Sequence, residues 1–181
     1  MARADYTNLV TDRLVDFFAE LESCNPLTKK QFHQIQKKYS KSDGSFWSKT
    51  ELWAIYQQLA GTNGLSQIRA DIQQHLQMKP TRTISGVAPV TVLTKPFPCP
   101  GKCIFCPNDV RMPKSYLSDE PGAQRAEKNY FDPYLQTYNR IEALQKMGHS
   151  IEKIQLIILG GTWSYYPEPD QIWFIKECFR A

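Results

Sequence analysis

Three cysteines within eight residues are the part of the sequence best suited to chemistry. Cys99, Cys103 and Cys106 follow one another in the pattern C-x3-C-x2-C. Three thiolates at this spacing can ligate three irons of a 4Fe-4S cluster, leaving the fourth iron open to a substrate or cofactor. A zinc site is the alternative. Zinc usually takes two ligand pairs, whereas the chain has one C-x2-C and one downstream histidine, His149. The spacing therefore favours an iron-sulfur cluster.

The remaining cysteines, Cys24 and Cys178, lie far from this motif, and the total of five is odd. Such a distribution is not that of a secreted disulfide framework and is typical of metal binding in a reducing compartment. The first residues lack an apolar signal region, and no apolar run reaches the roughly 18 to 20 residues of a membrane helix. We expect a cytoplasmic protein without a membrane segment.

Residues 1–78 repeat apolar side chains at helical spacing, which predicts a small helical bundle. The predicted helices are one that includes Leu9, Val10 and Leu21 and ends at Asn25-Pro26, one from about Lys29 to Tyr39, one opened by a Ser48–Glu51 capping box and closed by Gly61, and one beginning at Ser66. His33 and His75 each stand alone on a helix, so we expect surface or packing roles for both.

From residue 79 onward the pattern changes to strands alternating with helices. The expected elements are a strand over 87–93, the cysteine loop, a helix over 134–147 opened by Asp132-Pro133, an apolar strand over 153–159, and a last helix opened by Asp170 that carries Ile172, Ile175 and Phe179. Strand, crossover helix and strand predict a parallel sheet of the α/β class. Two parallel strands do not close a core, so we expect a truncated domain.

Two windows rich in basic residues predict a polyanionic partner. Residues 28–49 hold six lysines against one acid, and residues 79–114 hold six lysines and arginines against one acid. Contacts to RNA phosphates would come from Lys29, Lys30, Lys37, Lys38, Lys41, Lys79, Arg82, Lys95 and Lys102. The alternative is that both windows are ordinary solvated surface.

The cysteine motif resembles the signature of the radical-SAM superfamily. That resemblance implies a TIM-type barrel, of which this chain would hold the first βα units, with the active site at the C-terminal ends of the strands. It also implies that Phe105 packs against the adenine of S-adenosylmethionine. Gly160, Gly161 and Thr162 resemble the motif whose backbone binds the methionine portion of this cofactor. For the glycines, an ordinary strand-ending turn is the alternative.

Further stretches resemble the catalytic subunit of Elongator. They are Lys79–Val90, Lys95-Pro96, Glu120-Pro121 with Arg125-Ala126, Tyr130–Tyr134, Gly148–Ser150 and Gly160–Thr162. The resemblance implies an enzyme that modifies the wobble uridine of tRNA to a 5-carboxymethyl-type product, using S-adenosylmethionine and acetyl-CoA. Residues 1–78 would be its basic, tRNA-binding-like region and residues 79–181 the start of its radical-SAM core. The family's acetyltransferase domain is absent from this chain.

The same resemblance implies a contact between Lys153 and acetyl-CoA, with a solvated lysine at the strand edge as the alternative. It leaves a homodimer or an Elongator-type complex as the assembly, and no catalytic residue is assigned. Other radical-SAM activities, such as methylthiolation or coproporphyrinogen oxidation, and a non-catalytic iron-sulfur or zinc protein that binds RNA remain alternatives. Tyr165 and Tyr166 could stack on a base or pack internally. We expect residues 1–181 by themselves to be inactive.

Overall fold

The computed structural model describes residues 11–107 and 109–181. The elements within these ranges are α1 (Asp12–Ser23), α2 (Lys29–Lys38), α3 (Lys49–Leu59), α4 (Ala70–Leu76), β1 (Ala88–Leu93), α5 (Pro121–Lys128), α6 (Pro133–Lys146), β2 (Ile154–Leu159) and α7 (Glu168–Arg180), with short 3-10 helices at Pro80–Thr83 and Trp163–Tyr165. The positions predicted as helical at Leu9 and Val10 lie outside the described residues. The chain forms two compact units.

The first unit runs to Ile84 and includes Leu144–Ser150. Its helices α1 to α4 bury one continuous apolar core, which confirms the predicted bundle. Phe18 stacks on Tyr56 with ring centroids 5.0 Å apart and meets Phe17 edge-on at 4.9 Å. Burying each large apolar side chain of this kind contributes about 1.5–3 kcal/mol, so the core holds the four helices together.

Capping boxes open α2 and α3. At α3 the backbone N–H of Glu51 donates to Ser48 Oγ at 3.2 Å, and the N–H of Ser48 donates to Glu51 Oε2 at 2.8 Å, which confirms the predicted box. Thr28 and Gln31 form a second box at α2 that the sequence analysis missed, although its residues fit the same pattern. Each cap satisfies backbone donors that the first turn of a helix leaves without partners.

The predicted start of the fourth helix at Ser66 is wrong. The hydroxyl of Ser66 donates to Glu22 Oε1 at 2.9 Å, so this serine connects to α1 and does not cap a helix. The helix begins at Ala70, after Arg69, whose guanidinium donates to the carbonyl oxygens of Glu22 at 2.6 Å and Cys24 at 2.8 Å. The packing role expected for His75 is confirmed, since its ring stacks on the core residue Phe32 and Nε2 lies 2.8 Å from the carbonyl oxygen of Leu27.

The second unit comprises Ser85–Ala143 and Ile151–Ala181. Its two strands pair in parallel, from Ala88 opposite Ile154 to Leu93 opposite Leu159, which confirms the parallel arrangement and the α/β class. Within the described residues the sheet has these two strands and is open, so a barrel stays a prediction. β1 buries Ala88, Val90, Val92 and Leu93, whereas the apolar side chains of β2 are half-buried or exposed.

The helices α5, α6 and α7 differ in how well the sequence predicted them. The N–H of Leu135 donates to Asp132 Oδ1 at 2.8 Å, which confirms Asp132 as the cap of α6. α7 begins at Glu168, two residues before the predicted start at Asp170. Of the apolar residues predicted on this helix, Ile172 and Phe179 are 61% and 81% exposed, whereas Phe174 and Cys178 are buried. α5 was not predicted, although Pro121 at its first position is a recognised start signal.

Candidate functional site

The two parallel strands bring the cysteine motif and the glycine motif to the same edge of the sheet. The backbone N–H of Thr94 donates to the carbonyl oxygen of Leu159 at 2.9 Å and so extends the pairing one residue past β1. The cysteine loop follows Thr94 along the chain, and Gly160 follows Leu159. The carboxyl ends of parallel strands are where α/β proteins build their sites, so the fold itself juxtaposes the two motifs.

Gly160 is required by the packing of these strand ends. A Cβ at this position would overlap Thr94 Oγ1 and lie 3.1 Å from Thr94 Cβ. Thr94 is buried, and its hydroxyl lies 2.8 Å from the hydroxyl of Tyr166, so it cannot easily move aside. Gly161 differs, because a Cβ there would meet Lys114 Cβ at 3.4 Å, a tight contact without overlap.

Cys99 contacts the end of the glycine motif directly. Its Sγ lies 3.2 Å from Thr162 Oγ1, which joins two residues that the sequence analysis had assigned to one site. Hydrogen bonds from the Thr162 hydroxyl and from the backbone N–H of Gly101, with a smaller effect of the Lys114 ammonium, lower the pKa of the Cys99 thiol. Thiolate is the form of cysteine that binds metals, so this environment favours the ligand state.

Cys99 and Cys103 approach the same face of Gly101. An ideal Cβ at Gly101 would lie 3.6 Å from Cys99 Sγ and 3.5 Å from Cys103 Sγ. The N–H of Cys106 donates to the carbonyl oxygen of Cys103 at 3.2 Å, which forms a turn. Three thiols on one accessible loop suit a soft metal or an iron-sulfur cluster. In residues 11–107 and 109–181, no three cysteine, histidine or acidic side chains converge at metal-binding distance, so the predicted cluster stays a prediction.

The segment that leads into the cysteine loop is held by aromatic packing. Phe97 stacks on Tyr166 with ring centroids 4.8 Å apart, and the Tyr166 hydroxyl donates to the carbonyl oxygen of Lys95 at 3.0 Å. Tyr166 is buried, so it packs internally and does not stack on a base. Tyr165 is 48% exposed, so stacking of Tyr165 on a base stays a prediction. The loop beyond is open to solvent, since Phe105, the predicted adenine contact, is 91% exposed.

A cleft of about 340 Å³ lies at the strand ends, a volume within the range of small-molecule sites. Gly160 and Gly161 line it together with Thr94, Tyr116 and Trp163. The last three residues were not predicted from the sequence. Thr94 could have been found as the polar residue that ends a buried strand, and Trp163 as the aromatic residue next to Thr162.

Lys153 lies apart from this cleft. Its carbonyl oxygen accepts a hydrogen bond from Ala88 N at 2.8 Å, so it precedes β2 and sits at the amino end of the sheet. Six residues of strand separate it from the glycine motif, a span of about 20 Å. The geometry does not bring Lys153 together with the cysteines, and its contact with acetyl-CoA stays a prediction.

Three of the nine predicted RNA contacts are engaged in ion pairs. Lys38 Nζ lies 2.6 Å from Glu20, Lys41 Nζ lies 3.2 Å from Glu51, and Lys95 Nζ lies 2.8 Å from Asp170. These acids lie outside the two basic windows, so the sequence count overstated the unpaired positive charge. The other six candidates are exposed: Lys29, Lys30, Lys37, Lys79, Arg82 and Lys102.

Comparison with known proteins finds relatives for part of the chain. The chain is 53% identical over 112 residues to the tRNA uridine(34) acetyltransferase of Methanocaldococcus jannaschii. The matched residues are 59% of this chain and 21% of that protein. The enzyme of the same name from Dehalococcoides mccartyi is 47% identical over 103 residues, 57% of this chain and 22% of the relative. Elongator complex protein 3 of Homo sapiens is 39% identical over 126 residues, 64% of this chain and 23% of that protein.

The chain thus spans between a fifth and a quarter of the length of these relatives. The resemblance to the catalytic subunit of Elongator, stated from the motifs, is confirmed. No family model matches the chain. Among the described residues, no helix is both long and apolar enough to cross a membrane.

Proposed function

We propose, from the homology of this chain to a segment of the tRNA uridine(34) acetyltransferase and Elongator complex protein 3 family, that it forms part of a cytoplasmic enzyme that modifies the wobble uridine of tRNA. The observation that carries the proposal is the contact between Cys99 and Thr162 at the shared edge of two parallel strands. It joins the cysteine motif to the glycine motif in the arrangement that a cofactor-dependent site needs.

In this proposal Cys99, Cys103 and Cys106 hold a 4Fe-4S cluster. When bound, the cluster would supply the electron that cleaves S-adenosylmethionine. The hydrogen bonds to Cys99 lower the pKa of its thiol and so favour the thiolate that a metal ligand needs. Thr162 would then have two roles: its backbone belongs to the motif proposed to bind S-adenosylmethionine, and its hydroxyl orients Cys99, the first ligand of the cluster.

The cleft beside the glycine motif is the proposed site for S-adenosylmethionine. The backbone at Gly160 and Gly161 is accessible there because neither residue carries a side chain. Phe105 has its ring exposed on the cysteine loop, where it could cover the adenine. Acetyl-CoA is the proposed co-substrate because the archaeal and bacterial relatives are named as acetyltransferases. Lys153, at the far end of β2, would contact a part of that molecule remote from the cluster.

RNA binding in this proposal relies on the exposed basic residues of α2 and of the segments on either side of β1. Cations that neutralise phosphates release counterions, so affinity falls as salt rises. Lys29, Lys30 and Lys37 are better candidates than Lys38 and Lys41, whose charges are partly balanced by Glu20 and Glu51. The expected assembly is a homodimer or an Elongator-type complex.

The test uses the intact protein that carries this chain, prepared without oxygen. It is incubated with tRNA, S-adenosylmethionine and acetyl-CoA, and the nucleosides are analysed by mass spectrometry. We expect a carboxymethyl-type mass increase on the wobble uridine, and its loss in Cys103→Ala. Cys24→Ser is the control, because Cys24 packs against the helical core of the first unit and is not part of the motif. Modification by the Cys103→Ala variant at the parent rate would overturn the proposal.

A further inference from the structure

An aromatic-lined cavity of about 250 Å³ lies beside α7 in the second unit. Tyr130, Trp163, Trp173 and Phe174 contribute its aromatic walls. Thr94, Trp163 and Tyr166 line both this cavity and the cleft of the glycine motif, so the two cavities are neighbours. Its volume is slightly below the roughly 300–1,000 Å³ of drug-sized sites, which suits one flat ring system and not a whole cofactor.

The backbone at Tyr130 ends α5 and places this tyrosine at the cavity. Tyr130 and Phe131 have φ of 55° and 54°, in the left-handed region that bulky residues rarely occupy. Phe131 packs against the apolar cluster around Leu93, which compensates for its conformation. The N–H groups of Tyr130 and Phe131 donate to the carbonyl oxygens of Glu127 at 2.9 Å and Ala126 at 2.8 Å, the Schellman motif that commonly ends a helix. Tyr130 is 84% exposed and lines the cavity, so its ring is accessible to a ligand there.

The polar groups of the cavity are chiefly hydrogen-bond acceptors. Gln171 Nε2 donates to the carbonyl oxygen of Tyr166 at 2.7 Å, which orients the amide and presents its oxygen as an acceptor. The carboxylates of Asp132 and Asp170 add further acceptors, and Lys95 pairs with Asp170 at 2.8 Å. One lysine and two aspartates leave the lining with a negative charge. The cavity therefore suits a ligand with flat faces, N–H donors at its edge and no negative charge of its own.

We propose that this cavity binds an unpaired nucleobase of the RNA substrate. A base stacks on aromatic side chains through its faces and donates its imino or amino N–H groups to the carboxylates and the Gln171 oxygen. Its phosphates stay outside, away from Asp132 and Asp170. The bound base is an anchoring base and not the reacting uridine, because the neighbouring cleft beside the glycine motif is the site proposed for S-adenosylmethionine. The identity of the ligand as RNA rests on the proposed function.

The test measures binding of a fluorescently labelled short oligouridylate to the intact protein by anisotropy, without cofactors. Trp173→Ala and Tyr130→Ala should each weaken binding by roughly 5- to 100-fold, the effect of losing one stacking partner. Ile172→Ala is the matched control, since Ile172 is an exposed neighbour on α7 that does not line the cavity. Trp173 is 45% exposed, so its removal should preserve the fold, as circular dichroism would check.

Tyr130→Gly separates a binding role from a structural one. Glycine relieves the left-handed strain, so this variant should melt about 2 °C or more higher than the parent while binding the oligouridylate more weakly. A merely structural tyrosine would not show this opposite pair of changes. Parent-like binding by both Trp173→Ala and Tyr130→Ala would overturn the cavity proposal and leave the proposed function standing.

Two further outcomes are decisive. If the parent binds neither the oligouridylate nor tRNA, the cavity proposal and the proposed function both fail. Aromatic walls with carboxylates can also surround a cation, so tetramethylammonium is the competing probe. Quenching of tryptophan fluorescence by tetramethylammonium, lost in Trp173→Ala and absent with the oligouridylate, would overturn the assignment to a nucleobase.

Discussion

The two units of the protein bury their apolar residues to very different extents. In the first unit, α1 to α4 enclose side chains such as Leu21 and Tyr56 completely. In the second, β1 is buried, but β2 stays half-exposed and Phe105 on the cysteine loop is 91% exposed. The first unit is built for stability, whereas the second presents its chemistry-bearing residues to solvent.

This difference follows from how each unit is held together. The helices of the first unit share one core, and capping boxes open α2 and α3. Arg69, just before α4, donates to the carbonyl oxygens of Glu22 and Cys24 and so links the start of α4 to the end of α1. The site of the second unit depends on tight packing where two strands end, at Thr94 and Gly160. Substitutions in the first unit should therefore affect stability, and substitutions at the strand ends should affect the geometry of the site.

Phe18→Ala should have the largest effect on stability. Phe18 is fully buried between Phe17 and Tyr56, so its loss creates a cavity and should lower the free energy of unfolding by about 3–5 kcal/mol. Chemical denaturation measures the change. Phe46→Ala is the control in the same unit, because Phe46 is 57% exposed and its removal should cost about 0.5 kcal/mol or less. Equal losses for the two variants would contradict the description of this core.

Gly160→Ala tests the packing of the two strand ends in the second unit. The added methyl group would overlap the buried Thr94 side chain, so we expect a loss of about 1–3 kcal/mol in unfolding free energy. Gly161→Ala should cost less, because its methyl group would only touch Lys114 Cβ. Thr94→Ala in the same chain should recover part of the loss caused by Gly160→Ala. A strictly additive double variant would show that the two residues do not clash.

Asp71→Asn should have the smallest effect and a defined pH dependence. The pKa of Asp71 is lowered chiefly by hydrogen bonds from the Arg69 guanidinium. The backbone N–H of Leu27 also donates to this carboxylate. A lowered folded pKa stabilises the protein above the unfolded pKa of about 4 and loses that effect as pH falls through the folded value.

The unfolding free energy of Asp71→Asn should therefore be about 1 kcal/mol lower than that of the parent at neutral pH. The loss is no larger because the Arg69–Asp71 pair is partly exposed. The difference should shrink below a pH of about 4. Denaturation over a pH series measures it. A difference that is constant down to acidic pH would contradict the stabilising role of the charged form.

The sequence predicted what local chemistry determines. The capping box at Ser48, the cap at Asp132 and the parallel strands all follow from residues a few positions apart or from apolar runs, and the structure confirms them. The shared edge of the cysteine and glycine motifs also follows, because parallel strands place their carboxyl ends together.

Contacts between distant residues account for what the sequence did not predict. Ser66 looked like a helix cap, but its partner is Glu22, 44 residues earlier. The sequence did not predict which face of α7 is buried; the helix buries Phe174 and Cys178 and exposes Ile172 and Phe179, because the neighbouring elements select the face. The need for glycine at 160 depends on Thr94, 66 positions before it in the chain, and no local pattern encodes that clash.

The most direct test of the account is the iron and sulfide content of the intact protein after anaerobic reconstitution. The assignment of Cys99, Cys103 and Cys106 to one 4Fe-4S cluster predicts about four irons and four sulfides per chain. Cys24→Ser should keep this content, and Cys103→Ala should lose it together with the visible absorption. Full iron and sulfide content in Cys103→Ala, or one tightly bound zinc and no iron in the parent, would contradict the account.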